Sequence, residues 1–169
     1  MVYNFPTVTA GLDLPSDLIA ELAVHPNIVG TKLSCGNVGK LHRLTAAFPS
    51  TSFAVFPGAS AVFAPSLLCG GAGIIGALVN LLPKCHVELH ELWKAGKVEA
   101  AMALQAQIAH ADWEVSKGGG VSALKSLVNE VFGYGNARAR GPLGLVDVGK
   151  DVMGKDQVFQ ALVELEKKL

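Results

Sequence analysis

Short, almost wholly apolar runs alternate with stretches of helical periodicity over the first 80 residues, and this alternation restricts the possible folds most. Runs over residues 2–5, 28–32, 52–56 and 73–78 read as buried strands, the first three closed by Pro6, Cys35-Gly36 and Pro57-Gly58. Pro15-Ser16-Asp17 opens a helix with Leu18, Ile19, Leu22 and Ala23 on its apolar face, and His25-Pro26 ends it. Asn37 is a cap for a second helix, which shows Val38, Leu41, Leu44 and Ala47 at helical spacing. Residues 60–69 form a third, with almost no polar face and a stop at Gly70-Gly71. The connection lengths are those of parallel βα units, and right-handed crossovers put the carboxyl ends of the strands on one rim. Such a sheet has open edges at the strands near Tyr3 and Ile75.

Beyond Pro83 the strand pattern stops. Helices are expected over residues 84–94, 98–115 and 122–132, the second with Ala101, Leu104, Ile108 and Ala111 as its buried stripe. A glycine-rich loop over 133–144 carries Arg138 and Arg140, and an amphipathic helix over 155–169 closes the chain. The resulting division is residues 1–83 and 84–169.

Half of the 169 residues are hydrophobic and 17% are charged, which points to extensive burial or an oligomeric surface. A formal net charge of zero gives no electrostatic case for nucleic acid or an anionic membrane as a partner. No charged residue lies between Arg43 and Lys84, but Pro49, Pro57, Pro65 and five glycines cut that interval and exclude a continuous membrane helix. Three cysteines without Cys-x-x-Cys spacing read as reduced thiols of an intracellular protein, the cytoplasm being favoured over the mitochondrion. The start of the chain does not look like a targeting peptide.

Four groups of residues are candidates for chemistry. Lys32 ends the second strand, where an amine either snorkels to solvent or attacks a ketone to form a Schiff base. Tyr3 ends the first strand on the same rim, so a phenol beside that amine is suited to relay protons; capping the strand ends is its structural alternative. Gly71-Ala72-Gly73-Ile74-Ile75-Gly76 fits G-x-G-x-x-G, but a helix precedes it and a strand runs through it, the reverse of a dinucleotide site. His86 and His90 stand four apart on one helix, yet no third ligand accompanies them, and solvated surface positions are expected instead. Arg138 and Arg140 either clasp an anion or pin their loop. No metal or cofactor is expected.

Tyr3-Asn4-Phe5-Pro6, the run from Thr9 to Leu14, the stretch from His25 to Gly36, Gly58, and the stretch from Gly71 to Asn80 together resemble the dihydrodipicolinate synthase / N-acetylneuraminate lyase family of class I aldolases. Phe132-Gly133-Tyr134-Gly135 with Arg138 and Arg140 is similar to its 4-hydroxy-2-oxoglutarate aldolase-like branch. The resemblance implies an α/β fold, the C-terminal half of a (β/α)8 TIM barrel with about four parallel strands, followed by a C-terminal helical region. It implies that Lys32 forms an imine with pyruvate or another 2-oxo acid and that Tyr3 moves protons. Gly58 and Ile75 match positions lining the oxo-acid pocket, and Ser34 a polar group near the imine. Thr7-Val8-Thr9-Ala10 lacks the arginine of the synthases, so cleavage of a hydroxy-oxo acid is favoured over dihydrodipicolinate synthesis. The family's first four strands have no counterpart, which implies a fragment, a truncated gene product or a degenerate copy. Such a chain is expected to be an aldolase-family polypeptide with weak or no activity on its own, an inactive half-barrel that pairs with a complementary N-terminal half or with itself, or a ligand-sensing protein that keeps Lys32 without catalysis.

Overall fold

The computed structural model describes residues 1–149, 152 and 156–169, which form two compact units, Met1–Gly76 and Ala77–Leu169. In the first, β1 (Val2–Asn4), β2 (Gly30–Leu33) and β3 (Ala54–Pro57) make a parallel sheet in the order β1-β2-β3. Its register aligns Tyr3, Lys32 and Phe56 in one row across the sheet. Side chains alternate along a strand, so Leu33 and Val55 face the other way. They pack with Ile19 of α1 (Ser16–Ala23), Leu41 and Leu44 of α2 (Val38–Ala47), and Phe53. These six are at most 2% exposed, and each buried aliphatic side chain of this kind contributes about 1.5–3 kcal/mol.

The Asn37 side chain accepts the Lys40 N–H at 2.8 Å, capping α2 as the sequence predicts. Ser16 accepts Arg43 Nε at 2.9 Å and so ties α1 to α2. A 3-10 turn over Ser60–Val62 leads into α3 (Phe63–Leu68).

The expected fourth strand does not form. The segment after α3 follows β3 through two hydrogen bonds, Ala72 N to Val55 O at 2.9 Å and Ile75 N to Pro57 O at 3.2 Å. Two residues advance on β3 while three advance on the segment, so the ladder loses step as it would at a bulge. Gly73, at φ +146°, takes up the extra residue in a conformation that side-chain-bearing residues rarely adopt. The edge of β3 is therefore partly occupied by its own chain, whereas β1 has no second neighbour among the described residues.

The second unit contains α4 (Pro83–Lys94), α5 (Val98–Lys117), α6 (Val121–Phe132) and α7 (Gln157–Lys168). The expected start of the last helix at Lys155 lies outside the described residues. α5 packs against the other three, with Ala101, Leu104, Ile108 and Ala111 all buried. Glu166 of α7 is 2% exposed and accepts Lys84 N at 3.1 Å and Cys85 N at 2.9 Å, capping the start of α4. Removing it leaves the buried Cys85 N–H and the part-buried Lys84 N–H without this acceptor, so Glu166→Ala is expected to cost about 2–4 kcal/mol, while Glu164→Ala on the exposed side costs almost nothing. Urea unfolding of the two variants checks this.

His86 is buried, contrary to the expected solvated position; its Nδ1 lies 2.7 Å from Leu82 O, and burial lowers its pKa. Burial also pushes the neighbouring Cys85 thiol up to about 12, helped by the Glu166 charge. Among the described residues no helix is long and apolar enough to cross a membrane.

Candidate active site

The row Tyr3, Lys32 and Phe56 places an amine between two aromatic side chains on the sheet face opposite α1 and α2. Lys32 is half-buried, and its Nζ lies 4.4 Å from the centroid of the Tyr3 ring. The face of a phenol ring is a favourable seat for an ammonium group. Tyr3 itself is 51% exposed and packs against Phe5, with ring centroids 5.6 Å apart.

Ser34 follows β2 directly, and its N–H donates to Asn4 O at 2.9 Å, continuing the ladder beyond the strand end. This brings the Ser34 hydroxyl within 3.4 Å of the Tyr3 hydroxyl, a long hydroxyl pair. Gly58 is held beside it by its N–H bond to Leu33 O at 2.9 Å. A Cβ on Gly58 would stand 2.0 Å from Ser34 Oγ and 2.8 Å from Ser34 Cα, so only glycine permits this approach. Tyr3, Lys32, Ser34 and Gly58 thus come together at the carboxyl ends of β1, β2 and β3. Ile75 joins them through its hydrogen bond to Pro57 and is 37% exposed. Arg138 and Arg140 are both exposed and belong to the second unit.

Behind the rim lies a polar knot to which the sequence reading assigned no role. Asn4, 1% exposed, donates to Asp13 Oδ1 at 2.7 Å and accepts Leu14 N at 3.0 Å. Lys40, 3% exposed, pairs with Asp13 and donates to Leu14 O at 2.6 Å. The knot fixes the loop that follows Tyr3 against α2. Hydrogen bonds from Lys40 and then Asn4 hold the Asp13 carboxyl below its ordinary 3.8. The folded-state value being depressed, the stabilisation is complete above 3.8 and is lost as pH falls from there through the folded value. Asp13→Asn is expected to flatten the loss of stability over that acid window, read as urea midpoints at about pH 6 and about pH 3.

The model of the dihydrodipicolinate synthetase family matches residues 1–158, and the chain belongs to that family. It is 43% identical over its full 169 residues to a protein of Emericella nidulans named probable 4-hydroxy-2-oxoglutarate aldolase, mitochondrial, of which it covers 53%. A crystal structure of a dihydrodipicolinate synthase family protein from Coccidioides immitis is 34% identical and superposes with a TM-score of 0.80 over 99% of this chain and 55% of that one. A prophage protein of the same family from E. coli, solved in complex with pyruvate, shares the fold at 24% identity and a TM-score of 0.77, over 98% of this chain and 54% of its own. The chain spans about half the length of the relatives it matches. Its parallel βα sheet and C-terminal helices correspond to the C-terminal half of the family fold.

Proposed function

We propose that this chain carries the imine-forming half of a class I aldolase that acts on a 2-oxo acid. The observation supporting it most strongly is the seat of Lys32 Nζ, 4.4 Å from the Tyr3 ring, with the Ser34 hydroxyl beside the phenol. Once it has given up a proton, the Lys32 amine attacks the ketone carbon; loss of water leaves an iminium that withdraws electrons from the adjacent carbon. In a 4-hydroxy-2-oxo acid the bond between C3 and C4 then breaks. The C4 hydroxyl loses its proton as an aldehyde departs, and the electron pair passes into an enamine on Lys32. Protonation at C3 and attack by water release pyruvate and restore the amine. Tyr3, coupled to Ser34, relays the protons, while Gly58 and Ile75 form the wall beside the oxo acid. The Emericella relative's name and the pyruvate complex of the E. coli protein support a substrate such as 4-hydroxy-2-oxoglutarate. No cofactor enters this scheme. The fungal relative's name also favours a mitochondrial over a cytoplasmic location.

The test is borohydride trapping with pyruvate, read by intact mass, on the chain alone and on the chain co-purified with the N-terminal half of the Emericella relative. The expected product is one reduced pyruvate per chain in the co-purified sample. Absence of an adduct in both samples contradicts the proposal.

A second reading, a catalytically inert half-barrel that pairs with a complementary half or with a second copy, is favoured by β1, which has a neighbour on one side only among the described residues. A monodisperse monomer in sedimentation at micromolar concentration would tell against it.

A further inference from the structure

In the second unit, well apart in sequence from the Lys32 rim, three metal-ligating side chains converge. His110 and Glu114 lie four residues apart on one face of α5, and Asp156 is the N-cap of α7. One ligand atom from each lies within 4.8 Å of the others, and all three residues are half-buried. From this cluster we propose that His110, Glu114 and Asp156 bind a divalent cation of the zinc class, which clasps α5 to the start of α7.

The donor set suits the ion. Zinc takes imidazole nitrogen and carboxylate oxygen, and one His with two acids leaves a fourth position for water. The donors are already oriented. Asp156 uses Oδ1 to accept Phe159 N at 3.0 Å, which leaves Oδ2 facing His110 Nε2 at 2.5 Å. Glu114, with a side chain only 12% exposed, is held by Lys117 at 2.7 Å on a flexible, half-exposed ammonium. Asp156 pairs with His110 across the two helices. Two carboxylates converge in a partly dry site where Glu114 is paired with the half-exposed Lys117, an arrangement that a dication relieves. Binding displaces the proton between His110 and Asp156 to solvent, and the Lys117 amine swings outward. Neither step involves the Lys32 chemistry, so this site stands or falls independently of the aldolase reading.

The experiment is a zinc titration of the purified chain by competition with a chromophoric chelator, repeated with cobalt for its visible spectrum. The expected result is one zinc per chain, with affinity falling at least about tenfold in His110→Ala and in Asp156→Ser. Asp156→Ser retains a side-chain oxygen for the Phe159 N–H, so α7 keeps its cap and circular dichroism should match the parent. His90→Gln is expected to bind as the parent does. Cobalt should give a spectrum free of thiolate charge transfer. Equal affinity in the His110 and Asp156 variants, a thiolate band, or no uptake at all would each overturn the site.

Discussion

Lys32→Met is expected to abolish borohydride trapping of pyruvate completely while leaving the fold intact. Methionine keeps most of the stem between Tyr3 and Phe56 and removes only the ammonium, whose seat over the phenol is 4.4 Å from the ring centroid. Losing an exposed-edge cation–π contact costs about 0.5–1 kcal/mol, a small part of a domain's stability. The chemistry, by contrast, has no substitute, because no imine forms without a primary amine at that position. Lys32→Arg is expected to fail equally, since a guanidinium stays protonated and does not attack ketones. Tyr3→Phe should still trap pyruvate but slow turnover by about 10²–10⁴-fold, the usual contribution of a positioned proton-transfer group. An adduct that persists in Lys32→Met would mean that another amine reacts.

The second large effect is expected at Gly58. A methyl group there meets Ser34 Oγ at 2.0 Å and, more seriously, Ser34 Cα at 2.8 Å. The hydroxyl can rotate away, but the backbone of Ser34 is held by its bond to Asn4 O. Gly58→Ala therefore has to push the β2 and β3 ends apart, at a cost of about 1–3 kcal/mol in urea unfolding. The same displacement moves Ser34 from Tyr3, so trapping should weaken together with stability. Adding Ser34→Gly removes Oγ and the Cβ that the methyl would meet at 2.9 Å, leaving only Cα, and is expected to recover part of the stability. A Gly58→Ala protein as stable as the parent would show that the rim tolerates more space than this geometry allows.

Much of the first unit was readable from periodicity alone. β1, β2 and β3 lie where short apolar runs end at Pro6, Cys35-Gly36 and Pro57-Gly58, with boundaries shifted by one or two residues. The alternation that puts Leu33 and Val55 on α1 and α2 also puts Tyr3, Lys32 and Phe56 in one row. Phe56 could have been assigned to the rim by that parity. Residues 73–78 misled because hydropathy cannot register a positive φ; Gly73 breaks the ladder although its neighbours are strand-like.

Long-range polar pairing was the other blind spot. Lys40 reads as an exposed cation on α2, yet it is buried because Asp13 and Leu14 O meet it from 27 and 26 residues away. Glu166 reads as one more surface charge of an amphipathic helix, but it caps α4 across 81 and 82 residues. His86 reads as a solvated position for a different reason: its partner, Leu82 O one helical turn back, is a backbone group with no signature in composition.

The central claim is that the amine of Lys32, among eleven lysines in the chain, is the one that condenses with a 2-oxo acid. Proteolytic peptide mapping of the borohydride-reduced pyruvate adduct, made on the chain co-purified with the N-terminal half of its relative, tests it most directly. The mass increment is predicted on the single peptide that contains Lys32; an increment spread over several lysines, or confined to a different one, would contradict it.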